Sequence, residues 1–304
     1  MDFTDVKEIH IEPTSLCNAE CPQCARTILG EGLNPNIQLS SLSIDWFKNT
    51  FNKDNIANIN KIFFCGNVGD PCATPDLLLI LKYLKVLKKD LVLGLNTNAS
   101  LKTTDWFIEL GTILKGPLDY VVFSIDGLND TNHIYRRNTN FKKIIENARA
   151  YISTGASAHW DMLVFEHNQH QVEECKSLAH ELGFRWFRSK ETDRWDIYPQ
   201  AHLKPTEPYK TVDYTQSVPN CEKNRDSSIF IDYTGKIWPC CHIAEAYLNL
   251  VGQEKHKDII EFNNEQLMTE YQTRLSKNPF YICRRACGVK TSKRSQWKQE
   301  IQLS

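Results

Sequence analysis

Cys17, Cys21 and Cys24 share one short segment, Cys17-Asn18-Ala19-Glu20-Cys21-Pro22-Gln23-Cys24. Three thiolates on one loop can bind three irons of a [4Fe–4S] cube and leave the fourth iron open to a substrate or cofactor. The alternative is zinc, which usually adds a fourth Cys or His close by; none follows here. Further along, Cys221, Cys240, Cys283 and Cys287 form a second, widely spaced set. Four thiolates suffice to close a [4Fe–4S] site completely. Zinc on four cysteines is the structural alternative, and Cys241, next to Cys240, is a spare ligand.

The chain has 304 residues, 41% of them hydrophobic, and eleven cysteines. Disulfide scaffolds belong to oxidising compartments and to domains too small for a core. Met1-Asp2-Phe3-Thr4-Asp5 offers neither the basic nor the apolar region of an export signal. The cysteines therefore read as metal ligands in a cytoplasmic protein. The apolar runs 77–80 and 120–123 are far too short to span a bilayer. With 36 basic against 37 acidic residues, no global field draws the chain to nucleic acid or a membrane. Lys290, Lys293, Arg294 and Lys298 read as a solvated face.

Short β-rich runs at residues 8–12, 61–65, 91–96, 120–125, 158–165 and 184–188 alternate with helical patterns at 44–52, 76–89, 104–114, 141–154 and 169–182. Ser43 is placed to cap the first helix, and Gly155 and Gly183 to end the last two. Such alternation predicts an α/β fold: a parallel sheet with right-handed crossovers, curled into a partial (β/α)6 barrel like an incomplete TIM barrel. Chemistry then belongs on the βα loops, where the first cysteine set lies. Four prolines in residues 195–220 mark an extended linker. A hairpin at 228–232 and 236–238 and a helical pattern at 258–275 follow. Residues 1–199 are thus expected to form the barrel and 200–304 a small α+β domain.

The stretch from Glu12-Pro13-Thr14-Ser15-Leu16 through Cys24 resembles the cluster loop of the radical S-adenosylmethionine superfamily. The resemblance implies that S-adenosylmethionine chelates the open iron of a catalytic [4Fe–4S] cluster. Reductive cleavage would then yield a 5′-deoxyadenosyl radical that removes hydrogen from a substrate. Cys65-Gly66-Asn67-Val68-Gly69-Asp70-Pro71 is similar to the family's Gly-Gly-Glu-Pro segment, with Val68 for a glycine and Asp70 for the glutamate. By that likeness Gly66, Asn67, Gly69 and Asp70 meet the methionine ammonium. Asn96-Thr97-Asn98 resembles the ribose-contacting segment. Ser124-Ile125-Asp126-Gly127 and one of Arg136 and Arg137 correspond to the carboxylate site, and the Leu163 and Val164 backbone to the adenine site. Residues 8–190 are covered. The C-terminal cysteines resemble a twitch domain, a shortened SPASM module holding a second, auxiliary [4Fe–4S] cluster.

Two substrate classes follow from the resemblance: a small alcohol or sugar-like molecule undergoing oxidation, and a peptide or protein side chain undergoing modification or epimerisation. A nucleotide substrate and a non-catalytic zinc- or cluster-binding module are further readings. A flavodoxin or ferredoxin is the expected electron donor. Asp126, Asp161, Glu166, His167 and Arg188 lie near strand ends without a ranking among them. Cys65, Cys72 and Cys175 read as small buried hydrophobes. The nine histidines show no His-x-x-x-His pairing on a helix that would suggest metal, and His242 reads as a local hydrogen-bonding residue. Trp160, Trp186 and Trp195 read as packing.

Overall fold

A computed structural model describes residues 5–192, 194–198, 200–205, 217–221, 227–249, 251, 253–288 and 299–303. The first strands are β1 (Glu8–Ile11), β2 (Thr27–Ile28), β3 (Glu31–Leu33), β4 (Lys61–Phe64) and β5 (Val92–Thr97). They are followed by β6 (Tyr120–Ser124), β7 (Ala158–Val164), β8 (Trp186–Glu191), β9 (Ser228–Ile231), β10 (Ile237–Trp238) and β11 (Gln299–Gln302). The helices are α1 (Ile44–Thr50), α2 (Leu77–Leu87), α3 (Thr104–Ile113), α4 (Asn132–Tyr135), α5 (Phe141–Ile152) and α6 (Val172–Leu182). Beyond them lie α7 (Cys241–Leu248), α8 (Lys257–Ile260), α9 (Asn264–Lys277) and α10 (Tyr281–Cys287).

The main sheet runs β10-β9-β1-β4-β5-β6-β7-β8-β11. The pairings from β9 through β8 are parallel, and β10 and β11 run antiparallel at the two edges, so the sheet is open. This is the expected α/β architecture. Period-2 alternation divides its faces. Ile9, Ile11, Ile62, Phe64, Leu93, Leu95, Phe123 and Trp160 pack in one core with Phe47, Leu81, Phe107, Ala148 and Ala179 of the helices. On the other face His10 meets Phe63 and Phe230, at 5.0 and 4.8 Å between ring centroids, and Tyr120 stacks on His159.

Local chemistry sets the element ends. Ser43 accepts from the Trp46 N–H at 3.1 Å and caps α1. Gly183 closes α6 in the left-handed region at φ 85°. The predicted last barrel strand, 184–188, starts later and runs further in the structure, because the Phe184 N–H still bonds the Ala179 carbonyl and β7 offers partners as far as Glu191. The single helix expected at 258–275 is two: Asn263 and Gln266 form a capping box that starts α9 afresh. The hairpin β9–β10 joins the main sheet through β1. A second hydrophobic cluster, with Trp238, Ile243, Leu267 and Phe280 at its centre, lies under α7 to α10. Residues 199 and 206–216 of the predicted linker and the basic residues Lys290, Lys293, Arg294 and Lys298 lie outside the described residues. No helix among the described residues is long and apolar enough to cross a membrane.

The loop after β4 lies directly on the chain leaving β1. A Cβ on Gly69 would fall on the Thr14 carbonyl, and one on Gly66 on the Gly69 carbonyl. Backbone cannot yield as a side-chain tip can. Gly69→Ala is therefore expected to cost roughly 1–3 kcal/mol, as overpacking does; an unchanged denaturant midpoint would show that the loops are not in contact.

Candidate functional site

The first cysteine loop sits where β1, β4, β5 and β6 end. The Cys24 N–H bonds the Cys21 carbonyl at 3.1 Å, and Thr27 Oγ1 donates to the same carbonyl. Neighbouring strand ends reach the thiols. Cys24 Sγ donates to the Asn67 carbonyl at 3.5 Å, and Asn98 Nδ2 lies 3.7 Å from Cys17 Sγ and 3.0 Å from Asn18 Oδ1. Burial pushes all three thiols above the ordinary cysteine range, Cys21 up to about 12, with the Arg136 guanidinium beside Cys21 acting in the opposite sense.

Asp70, expected to meet an ammonium, is bonded by its own chain. Its carboxylate accepts from Thr97 Oγ1 at 2.9 and 3.1 Å, from the Asn98 N–H at 2.8 Å and from the Cys72 N–H at 2.9 Å. It ties the β4 loop to the β5 loop. Asn96 lies near the end of β5 with a buried Oδ1 that has no hydrogen-bond partner. Ser124 is half-buried at the end of β6, in register with Asp161.

The two arginines diverge. Arg136 Nε donates to Asp126 Oδ2 at 2.6 Å, whereas Arg137 donates to the Gly30 carbonyl at 3.2 Å, on the β2–β3 hairpin. Asp126 is fully buried and also accepts from the Leu163 N–H at 2.6 Å. Asn168 Nδ2 donates to the Leu163 carbonyl at 2.9 Å, so the Leu163 backbone is engaged within the chain. Val164 is buried and in register with Glu191. Of the unranked residues, Asp161 accepts from Arg188 Nε at 2.6 Å, its carboxyl pushed up to about 6 by burial against the pull of that arginine. Glu166 is exposed. His167 stacks on Phe165, and burial lowers its pKa to about 4.

Cys221, Cys240, Cys283 and Cys287 surround one cavity, together with Tyr271. Cys283 and Cys287 lie one turn apart on α10, and Cys240 immediately precedes α7. The Asn220 N–H bonds the Cys287 carbonyl at 2.8 Å, which brings the Cys221 segment against α10. Burial pushes Cys283 up to about 12 and Cys240 well up, with neighbouring thiols adding to both shifts. Cys241 is not among the residues that line the cavity; its charge acts on Cys65, beyond the end of β4. All eleven cysteines are free thiols. Among the described residues, no three His, Cys, Asp or Glu side chains stand close enough together to hold a single metal ion. Both sets are soft thiol donors, the chemistry that iron–sulfur groups use.

Sequence reasoning missed what holds the loops. Glu12 is wholly buried, and its Oε1 accepts from the Val68 and Gly69 N–H groups at 2.7 and 3.0 Å. Burial raises its pKa to about 8, and Oε2 has no partner, as suits a neutral carboxyl. A glutamate directly following a buried strand is the one signal that could have flagged it. Below pH 4.5 both folded and unfolded chains hold this proton; between 4.5 and about 8 only the folded chain does. Its contribution to stability is therefore full at low pH and is lost as pH rises through that window, by at most about 1.4 kcal/mol per pH unit. Glu12→Gln keeps the acceptor and removes the titration. Urea melts at pH 5.5 and 7.5 should show a smaller loss for this variant than for the wild type; equal losses would mean that Glu12 does not titrate there.

No protein-family model matches the chain, and no curated protein matches its sequence. Solved structures do match. The crystal structure of Streptococcus suis SuiB bound to S-adenosylmethionine is similar with a TM-score of 0.57 and 16% identity, over 91% of this chain and 67% of that one. SuiB bound to precursor peptide SuiA gives 0.57 and 16%, over 95% and 68%. Native anSMEcpe with bound AdoMet gives 0.55 and 15%, over 91% and 88%. The chain has the open, largely parallel partial-barrel fold of these radical S-adenosylmethionine enzymes.

Proposed function

We propose that this chain is a radical S-adenosylmethionine enzyme that holds one catalytic [4Fe–4S] cluster on Cys17, Cys21 and Cys24. One observation carries the reading: the three thiols lie on the loop after β1, where the ends of β4, β5 and β6 converge, in a fold shared with structures solved with S-adenosylmethionine bound. When bound there, the cluster supplies the electron that splits a C–S bond of S-adenosylmethionine, and the resulting 5′-deoxyadenosyl radical takes hydrogen from a substrate C–H.

The chain's own part is to position and to exclude water. Asn98 reaches the Cys17 thiol. The buried Asn96 Oδ1 is an acceptor in want of a donor, which a ribose hydroxyl would supply. Backbone carbonyls of the Gly66–Gly69 loop are the acceptors for the ammonium, since the Asp70 carboxylate is taken up within the chain. The four C-terminal thiols would hold an auxiliary [4Fe–4S] cluster, which would supply an electron acceptor or a substrate anchor, and a flavodoxin or ferredoxin would be the electron donor to the catalytic cluster. The net reaction is an oxidation of a small alcohol or sugar-like substrate. A second reading, modification of a peptide side chain, is favoured by similar proteins solved with peptides: SuiB with SuiA, and anSMEcpe with the Cp18Cys peptide, at a TM-score of 0.53 for the latter.

Replacing Cys17, Cys21 and Cys24 together by Ala should abolish dithionite-dependent 5′-deoxyadenosine formation while iron at the C-terminal thiols survives. Undiminished 5′-deoxyadenosine from that variant would overturn the assignment. The reconstituted wild type should carry about eight irons, two cubes of four. About four irons with stoichiometric zinc would make the C-terminal site structural and remove the oxidation.

A further inference from the structure

We infer that helix α7 couples the two cysteine groups, so that a metal group on the C-terminal thiols also holds the first cysteine loop in its ligating shape. The inference rests on the reading that both groups bind iron–sulfur clusters, and extends it.

α7 begins immediately after Cys240, whose thiol lines the C-terminal cavity. Three polar residues from other parts of the chain join α7 to the first cysteine loop. Asn67, after β4, donates through Nδ2 to the Cys241 carbonyl at 2.8 Å, while its own carbonyl accepts from Cys24 Sγ. Arg194, after β8, donates to the Gln23 carbonyl at 2.7 Å and lies 3.3 Å from Glu245 Oε2. Asn34, after β3, donates through Nδ2 to the Ala25 carbonyl at 3.0 Å and to the Leu248 carbonyl at 3.1 Å.

At the loop end the three ties fall on consecutive residues, Gln23, Cys24 and Ala25. At the helix end they fall on Cys241, Glu245 and Leu248, spaced i, i+4 and i+7, which is one face of a helix. A fourth path runs through Tyr198: Gln23 Nε2 lies 3.5 Å from its carbonyl, and Asn249, just past α7, donates to its hydroxyl at 2.8 Å. Asn34, Gln23 and Asn249 are buried, so breaking a tie leaves polar groups without water to replace it. Any ligand that orders Cys240 therefore orders α7, and α7 orders the loop carrying Cys24. Because coupling is reciprocal, the first group must order the second to the same degree.

The test uses the full chain loaded anaerobically with iron and sulfide, with amide exchange at residues 17–26 and 281–287 as the readout and iron counted in the same samples. Removing C-terminal ligands, as Cys283→Ala with Cys287→Ala, should speed exchange at residues 17–26 about tenfold, within the usual span of coupling between sites. The Cys17, Cys21 and Cys24 triple Ala variant should speed exchange at 281–287 by a similar factor. In a background of Asn67→Ala with Arg194→Gln, exchange at 17–26 should already be fast, and loss of the C-terminal ligands should add less than about twofold. Arg194→Gln alone, which leaves the β4 loop intact, should give an intermediate response. Simple additivity, or unchanged exchange at 17–26 with both groups loaded, overturns the coupling and leaves the cluster assignment standing. Iron missing from Cys17, Cys21 and Cys24 in the wild type overturns both.

Discussion

The site depends on the double parallel pairing of β1. Glu8 lies opposite both Lys61 of β4 and Ser228 of β9, and Ile11 opposite both Phe64 and Ile231. All three strands therefore end at the same level, and the chain leaving β1 has to pass between the loops that follow the other two. That chain is the first cysteine loop. The glycines after β4 let the two backbones touch, and Ser40 Oγ reaches the Tyr233 carbonyl in the turn after β9. A parallel sheet always sends its loops to one edge; the double pairing of β1 makes that edge the meeting point of both cysteine groups.

Three buried carboxyl groups then fix the loops, each by a different answer to the cost of burial. Asp126 carries a counter-ion: the Arg136 guanidinium opposes the upward push of burial and also flanks Cys21. Asp70 has backbone N–H groups and a threonine hydroxyl in place of a cation. Glu12 has two backbone donors and keeps its proton. Removing one partner of a buried charge commonly costs about 3–5 kcal/mol. The loops after β1, β4 and β5 are thus tied to one another, and the start of the β6 loop to Arg136 and β7.

Elements with strong periodicity were legible in the sequence. β4, β5, β6 and β7 lie where alternation and β-branched residues put them, and Ser43 caps α1. The first cysteine set was legible because its members are local in sequence. The convergence of Cys221, Cys240, Cys283 and Cys287 is long-range, and only their number hinted at it. Side chains bridging distant segments were not legible. Nothing in the sequence near Asn34, Asn67 or Arg194 says that they meet α7, because a hydrogen bond between residues 51 to 214 positions apart leaves no periodic trace. The sequence puts Asp70 on the loop after β4, while its partners, which decide its task, come from β5 and the turn beyond it.

The two kinds of cysteine differ in their surroundings. Cys72 and Cys175 are fully buried in the main core, where a lone thiol packs as a small hydrophobe. Seven others stand in two groups, and neighbouring thiols add to the upward push of burial at Cys17 and Cys21 in the first and at Cys240 and Cys283 in the second. Gathering buried thiols stabilises a fold little by itself, because a protonated thiol is a weak hydrogen-bonding group. A bound metal group reverses the balance: the thiolates are stabilised by the cation, their protons leave, and the binding free energy is returned as folding free energy. The same burial that raises the thiol pKa values would also keep water from a bound group. The polar groups left to face the first set, the Asn67 carbonyl, Asn98 Nδ2 and the Arg136 guanidinium, orient the loop without competing for metal.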